Sequence, residues 1–113
     1  MDFSEYQRRT ADTDVGTSAQ DNLKPGWMYY VLGIGGEAGE FLEKVKKLFR
    51  DHGGVVDEKF RAAVTKEIGD ILWYMARLCY FIGIDFNNVA LTNLAKLESR
   101  MERGKLHGDG DDR

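Results

Sequence analysis

Apolar residues recur at three- and four-residue intervals along most of the 113-residue chain. That spacing gathers side chains on one face of an α-helix. The longest run follows Pro25-Gly26 and comprises Trp27, Tyr30, Val31, Ile34, Ala38, Phe41, Leu42, Val45, Leu48 and Phe49. His52-Gly53-Gly54 ends it, with glycine as the C-terminal cap. A second run, Phe60, Val64, Ile68, Ile71, Leu72, Met75, Leu78, Cys79 and Ile82, starts after Asp57, a good N-cap, and stops at Gly83. Asp85 caps a last helix whose Val89, Leu91, Leu94, Leu97 and Met101 are expected to face inward. Asp2 to about Ala11 reads as a short helix, and the polar stretch from Asp12 to Lys24 as a loop. The Gly- and Asp-rich tail, Lys105 to Arg113, has no periodicity and reads as flexible.

No segment alternates with strand period. The pattern predicts a single all-α domain, four-helix and bundle-like: an N-terminal helix and loop (1–24), a helical core (25–104) and a tail (105–113). Trp73, Tyr80 and Phe81 fall off the core stripe of their helix. Exposed aromatic surface of that kind marks an interface and predicts a homo-oligomer.

Composition narrows the chemistry. With 16 Lys plus Arg against 19 Asp plus Glu, the formal charge is −3, the wrong sign for a nucleic-acid partner. One cysteine, Cys79, excludes an internal disulfide and a Cys-based zinc site. Two histidines, His52 and His107, argue against His-based metal sites and a Ser-His-Asp triad. The most apolar stretch, Ile68 to Ile84, carries Asp70 and Arg77, so no membrane span is expected. The polar N-terminus has no signal-like apolar segment, and with the lone cysteine this predicts a cytoplasmic protein.

Two acidic pairs then stand out. Advancing about 100° per residue places Glu37 roughly 60° and Glu40 roughly 120° from the centre of the second helix's stripe, on one side of it. Glu67 and Asp70 gather with Tyr74 on one flank of the next helix. If the two helices pack antiparallel, the pairs meet near mid-length. Four carboxylates form an all-oxygen site of the kind that Mg²⁺ or Mn²⁺ prefers; without a cation they repel one another. An isolated acidic pair on a helix is more often a solvated face. Here the pairs border apolar stripes and lie among Gly33, Gly35, Gly36, Gly39 and Gly69. Each helix-interior glycine costs about 1 kcal/mol relative to alanine, so each is expected either to admit a close neighbour or to mark a helix break.

The segments Gly36-Glu-Ala-Gly-Glu40 and Glu67-Ile-Gly-Asp-Ile-Leu-Trp-Tyr74 resemble the E-x-x-E … E-x-x-D signature of the MazG-like all-α nucleoside triphosphate pyrophosphohydrolases. The end of the chain, Asn93 to Arg100 followed by Arg103 to Asp111, is similar to that of many short members. The resemblance implies Mg²⁺-dependent cleavage between the α- and β-phosphates, to a nucleoside monophosphate and pyrophosphate. It also implies a homodimer or homotetramer with active sites partly at subunit contacts. Carried over by position, Glu37, Glu40, Glu67 and Asp70 are metal ligands, and Tyr74 lies near the nucleotide. Lys96, Arg100 and Arg103 fall at phosphate-binding positions, with Lys44 and Asn93 as further substrate contacts. Glu40, farthest from the core stripe of its pair, is the expected base for the attacking water. Trp27, Trp73 and Tyr74 are candidates to stack on a base, although packing is the commoner role of the two tryptophans.

Two further readings remain: a diphosphohydrolase restricted to dUTP or dCTP, and a catalytically inactive helical interaction module. A di-iron bundle is excluded, because neither histidine follows a Glu at the required spacing.

Overall fold

The structure, a computed structural model, describes residues 1–16 and 23–113. The middle of the polar stretch expected as a loop, residues 17–22, lies outside the described residues. Four α-helices and no strand are found among those described: α1 (Phe3–Thr10), α2 (Met28–His52), α3 (Glu58–Phe81) and α4 (Phe86–Glu102). Ala11–Thr13 continues α1 as a 3-10 turn, so the loop starts slightly later than the composition suggests. No helix among the described residues is long and apolar enough to cross a membrane.

Local chemistry explains the boundaries. Asp57 accepts a hydrogen bond from the Phe60 amide and caps α3. Asp85 accepts from the amides of Asn87 and Asn88 and caps α4. Gly53 adopts a left-handed φ of 61° at the end of α2, a conformation that side-chain-bearing residues rarely take. α2 runs unbroken through Gly33, Gly35, Gly36 and Gly39.

α2 and α3 form an antiparallel hairpin. Tyr30 stacks on Phe81, Gly33 faces Tyr74, and Lys44 meets Glu67, so residue numbers rise on one helix as they fall on the other. α1 lies across α3 and the start of α4, where Phe3 stacks on the buried ring of Phe86 at 5.0 Å. Polar bonds fix it there. The Gln7 amide donates to the carbonyls of Ala76 and Ile84, and its oxygen accepts from the Phe86 amide. Arg77, 4% exposed, donates to Asp14 at 2.8 Å, and the Tyr30 hydroxyl donates to the same carboxylate oxygen.

α4 corrects one expectation. Val89, Leu91, Leu94, Leu97 and Met101 face outward, because α4 docks by its first turn at Phe86 and then leaves the hairpin. Tyr80, Phe81, Leu42 and Phe49 are exposed as well. The radius of gyration is 17.2 Å, against about 13 Å for a compact chain of this length. The tail folds back on the end of α4, where Arg100 donates to the Gly110 and Asp111 carbonyls and Arg103 to the Arg113 carbonyl.

Candidate metal centre

The hairpin brings three of the four predicted ligands together. Glu37, Glu67 and Asp70 each offer a carboxylate oxygen, and these oxygens all lie within 4.8 Å of one another. Antiparallel packing accounts for it: one turn of α2 is set against one turn of α3, and the i,i+3 spacing of Glu67 and Asp70 aims both at Glu37. Glu40 is exposed, one turn along α2. Its charge is felt at Glu37, but it is not in the three-carboxylate group.

The electrostatics are those of an anionic cluster. Partial burial, then the neighbouring charges of Glu40, Asp70 and Glu67, push the Glu37 carboxyl above the usual carboxylate range. Lys44 offsets part of this charge through an ion pair with Glu67 Oε1 at 3.3 Å. Glu67 is only 7% exposed. The second oxygens of Glu37 and Glu67, Oε2 in each, are buried and have no hydrogen-bond partner among the described residues. A buried carboxylate oxygen without a donor is costly, and two of them at a three-carboxylate focus fit a hard divalent cation. The donor set therefore suits Mg²⁺ or Mn²⁺; it has neither the thiolate nor the imidazole of a zinc centre.

Beside the cluster lies a cavity of about 380 Å³, lined by Thr13, Glu37, Asp70, Trp73 and Tyr74. The Tyr74 ring packs flat against bare backbone at Gly33, where a Cβ would collide with it. Desolvation first, then a hydrogen bond to Tyr29 and the charges of Glu37 and Asp70, push the Tyr74 phenol up to about 12. Of the crowding glycines, only Gly33 meets a neighbour. Gly35, Gly36, Gly39 and Gly69 open onto free space, so the close neighbour expected of those four is not found among the described residues.

The remaining sequence-predicted positions divide. Tyr74 lines the cavity, and Lys44 reaches the cluster through Glu67. Asn93, Lys96, Arg100 and Arg103 do not line it. Asn93 and Lys96 border a separate groove with Ile84, Asn88, Val89 and Thr92. Arg100 is buried against the tail, and Lys96 lies 3.8 Å from Asp111. Gln7, Thr13, Asp14 and Arg77 carry the contacts that periodicity does not single out. The one local signal was Arg77, a charge placed inside the most apolar stretch of the chain.

The chain is 39% identical over 109 residues to the "Gene 37 protein" of Mycobacterium phage L5, covering 96% of each sequence. No solved structure matches it significantly. The MazG nucleotide pyrophosphohydrolase domain matches residues 28–104, which hold both acidic pairs and all three long helices. By that match the chain belongs to the MazG nucleotide pyrophosphohydrolase family.

Proposed function

We propose that this protein is a Mg²⁺-dependent nucleoside triphosphate pyrophosphohydrolase that cleaves between the α- and β-phosphates, releasing a nucleoside monophosphate and pyrophosphate. The observation that carries the reading is the focus of Glu37, Glu67 and Asp70, with its two donorless buried oxygens.

Glu37, Glu67 and Asp70 would hold the cation, Mg²⁺ or alternatively Mn²⁺. When bound, it supplies positive charge to the phosphate oxygens and acidifies a water. Lys44 fixes the Glu67 carboxylate in place, so the cluster is set before substrate arrives. Glu40, outside the three-carboxylate group and close enough to Glu37 for its charge to be felt there, would take the proton of the attacking water. Tyr74, which lines the cavity, would present an uncharged hydroxyl and a ring to the nucleotide.

Asn93, Lys96 and Arg103 would serve the phosphates, in this reading, from a neighbouring copy, whereas Arg100 is taken up by the tail carbonyls. The outward apolar row on α4 and the exposed aromatic residues of α3 support a homodimer or homotetramer. The expected setting is the cytoplasm, where a lone thiol such as Cys79 persists.

A panel of canonical and modified nucleoside triphosphates with Mg²⁺, scored separately for pyrophosphate and orthophosphate, tests the reading. Pyrophosphate release that disappears in Glu37→Gln and Asp70→Asn is expected. Orthophosphate release without pyrophosphate would overturn the cleavage position.

A further inference from the structure

We infer that the N-terminal arm, residues 3–14, builds part of the nucleoside subsite, with Thr13 as the positioning residue that holds the Trp73 indole as its wall. The inference rests on the reading above, in which the acidic cluster engages the triphosphate. It concerns residues that the family match leaves out, since that match begins at residue 28.

The cavity beside the cluster has two unlike sides. Glu37 and Asp70 form an acidic side, and Trp73 and Tyr74 an aromatic one. A nucleotide with its phosphates at the carboxylates places its base against the rings, and every base has a π-face to offer them. Tyr74 is already fixed against Gly33. Trp73 is fixed from three directions. Its ring meets the Tyr74 ring at 5.1 Å and 89°, lies 6.2 Å from the Tyr30 ring, and its indole N–H donates to Thr13 Oγ1 at 2.8 Å.

Thr13 acts through Trp73 rather than on the ligand. Its hydroxyl proton is already given to the Thr10 carbonyl at 3.2 Å, and its oxygen accepts the indole proton. The arm that carries Thr13 is held by the next residue, since Asp14 is buried in its ion pair with Arg77. Arg77 also donates to Thr10 Oγ1.

The arm's polar side chains extend the subsite. Trp73 and Thr13 also line a second cavity of about 380 Å³, shared with Tyr6, Arg9 and Asp12. The indole is thus the partition between the acidic cavity and one whose other side chains include donors and acceptors suited to a base edge. The ligand class assigned to this wall is a nucleobase.

Steady-state kinetics on the full chain test the assignment. Thr13→Val should raise KM for the preferred nucleoside triphosphate about five- to tenfold at constant kcat, and Thr13→Ser should restore it. Trp73→Phe removes the donor from the other side. The double variant should then be no worse than the poorer single variant. In Trp27→Phe protein, Trp73 is the one remaining tryptophan. An α,β-methylene nucleotide with Mg²⁺ should quench its emission, with a midpoint that Thr13→Val shifts to higher concentration. An unchanged KM in Thr13→Val, a fall in kcat alone, or no quenching would overturn the inference while leaving the hydrolase reading intact. Absence of any nucleotide turnover by the wild type would overturn that reading, and this assignment with it.

Discussion

Removing one carboxylate from the acidic cluster should have opposite effects with and without metal. In Glu37→Gln the side chain keeps its size and loses its charge. Two unit charges at the 4.8 Å limit of the cluster repel by about 3.5 kcal/mol at an effective dielectric of about 20, and by about 1 kcal/mol in bulk water. Asp70 is exposed and Lys44 offsets Glu67, so the value nearer bulk water applies. Without divalent cation, Glu37→Gln should gain about 1 kcal/mol, or about 4 °C in Tm for a chain of this size. With Mg²⁺ at a hundredfold excess over its Kd, the wild type should gain about 2.7 kcal/mol, close to 10 °C. The variant should gain almost nothing. Thermal melts in chelator and in Mg²⁺, at one fixed protein concentration, read both effects. A variant that melts lower than wild type in chelator and keeps the full Mg²⁺ response would refute the reasoning, since it would show that Glu37 neither strains the metal-free cluster nor binds the cation.

Three further outcomes are expected. Gly33→Ala, which drives a methyl into the Tyr74 ring, should cost about 1 to 3 kcal/mol in chemical denaturation, whereas Gly36→Ala, facing open space, should stabilise by about 0.5 to 1 kcal/mol. Arg77→Met leaves Asp14 buried without its cation and should cost about 3 to 5 kcal/mol, measured by the same denaturation curves. Tyr74 should ionise near pH 12 in an ultraviolet titration, and Tyr74→Phe should remove that late step. Because its pKa rises on folding, its favourable contribution is complete below the ordinary tyrosine value and is lost as pH climbs towards 12.

Helix ends and the acidic focus were legible because both depend on short range. Asp57 and Asp85 cap by reaching two or three residues along the chain. The Glu37–Glu67–Asp70 focus needs only helical spacing and a short connection. Glu40 illustrates where angles stop sufficing: its position a turn beyond Glu37 was readable, but its separation from the group of three depends on how α2 is rolled against α3. The apolar residues from Val89 to Met101 were expected to face inward and face outward instead, because periodicity does not say whether an apolar face meets its own chain. The arm was least visible. Gln7 binds mainly backbone groups more than 65 residues away, and Asp14 finds Arg77 63 residues on. Such pairings leave no period in the sequence.

The docking of that arm has a consequence for how specificity could diversify among related chains. Gln7 grips the carbonyls of Ala76 and Ile84 and the amide of Phe86, groups that any residue supplies. Arg77 and Tyr30 supply the side-chain partners of Asp14, and Trp73 that of Thr13. The first fourteen residues therefore form an exchangeable cassette: an arm from another member should seat on this hairpin if it brings a glutamine and an aspartate seven positions apart. Recombination could then alter the wall beside the nucleotide in one step, without disturbing the helices that carry the carboxylates.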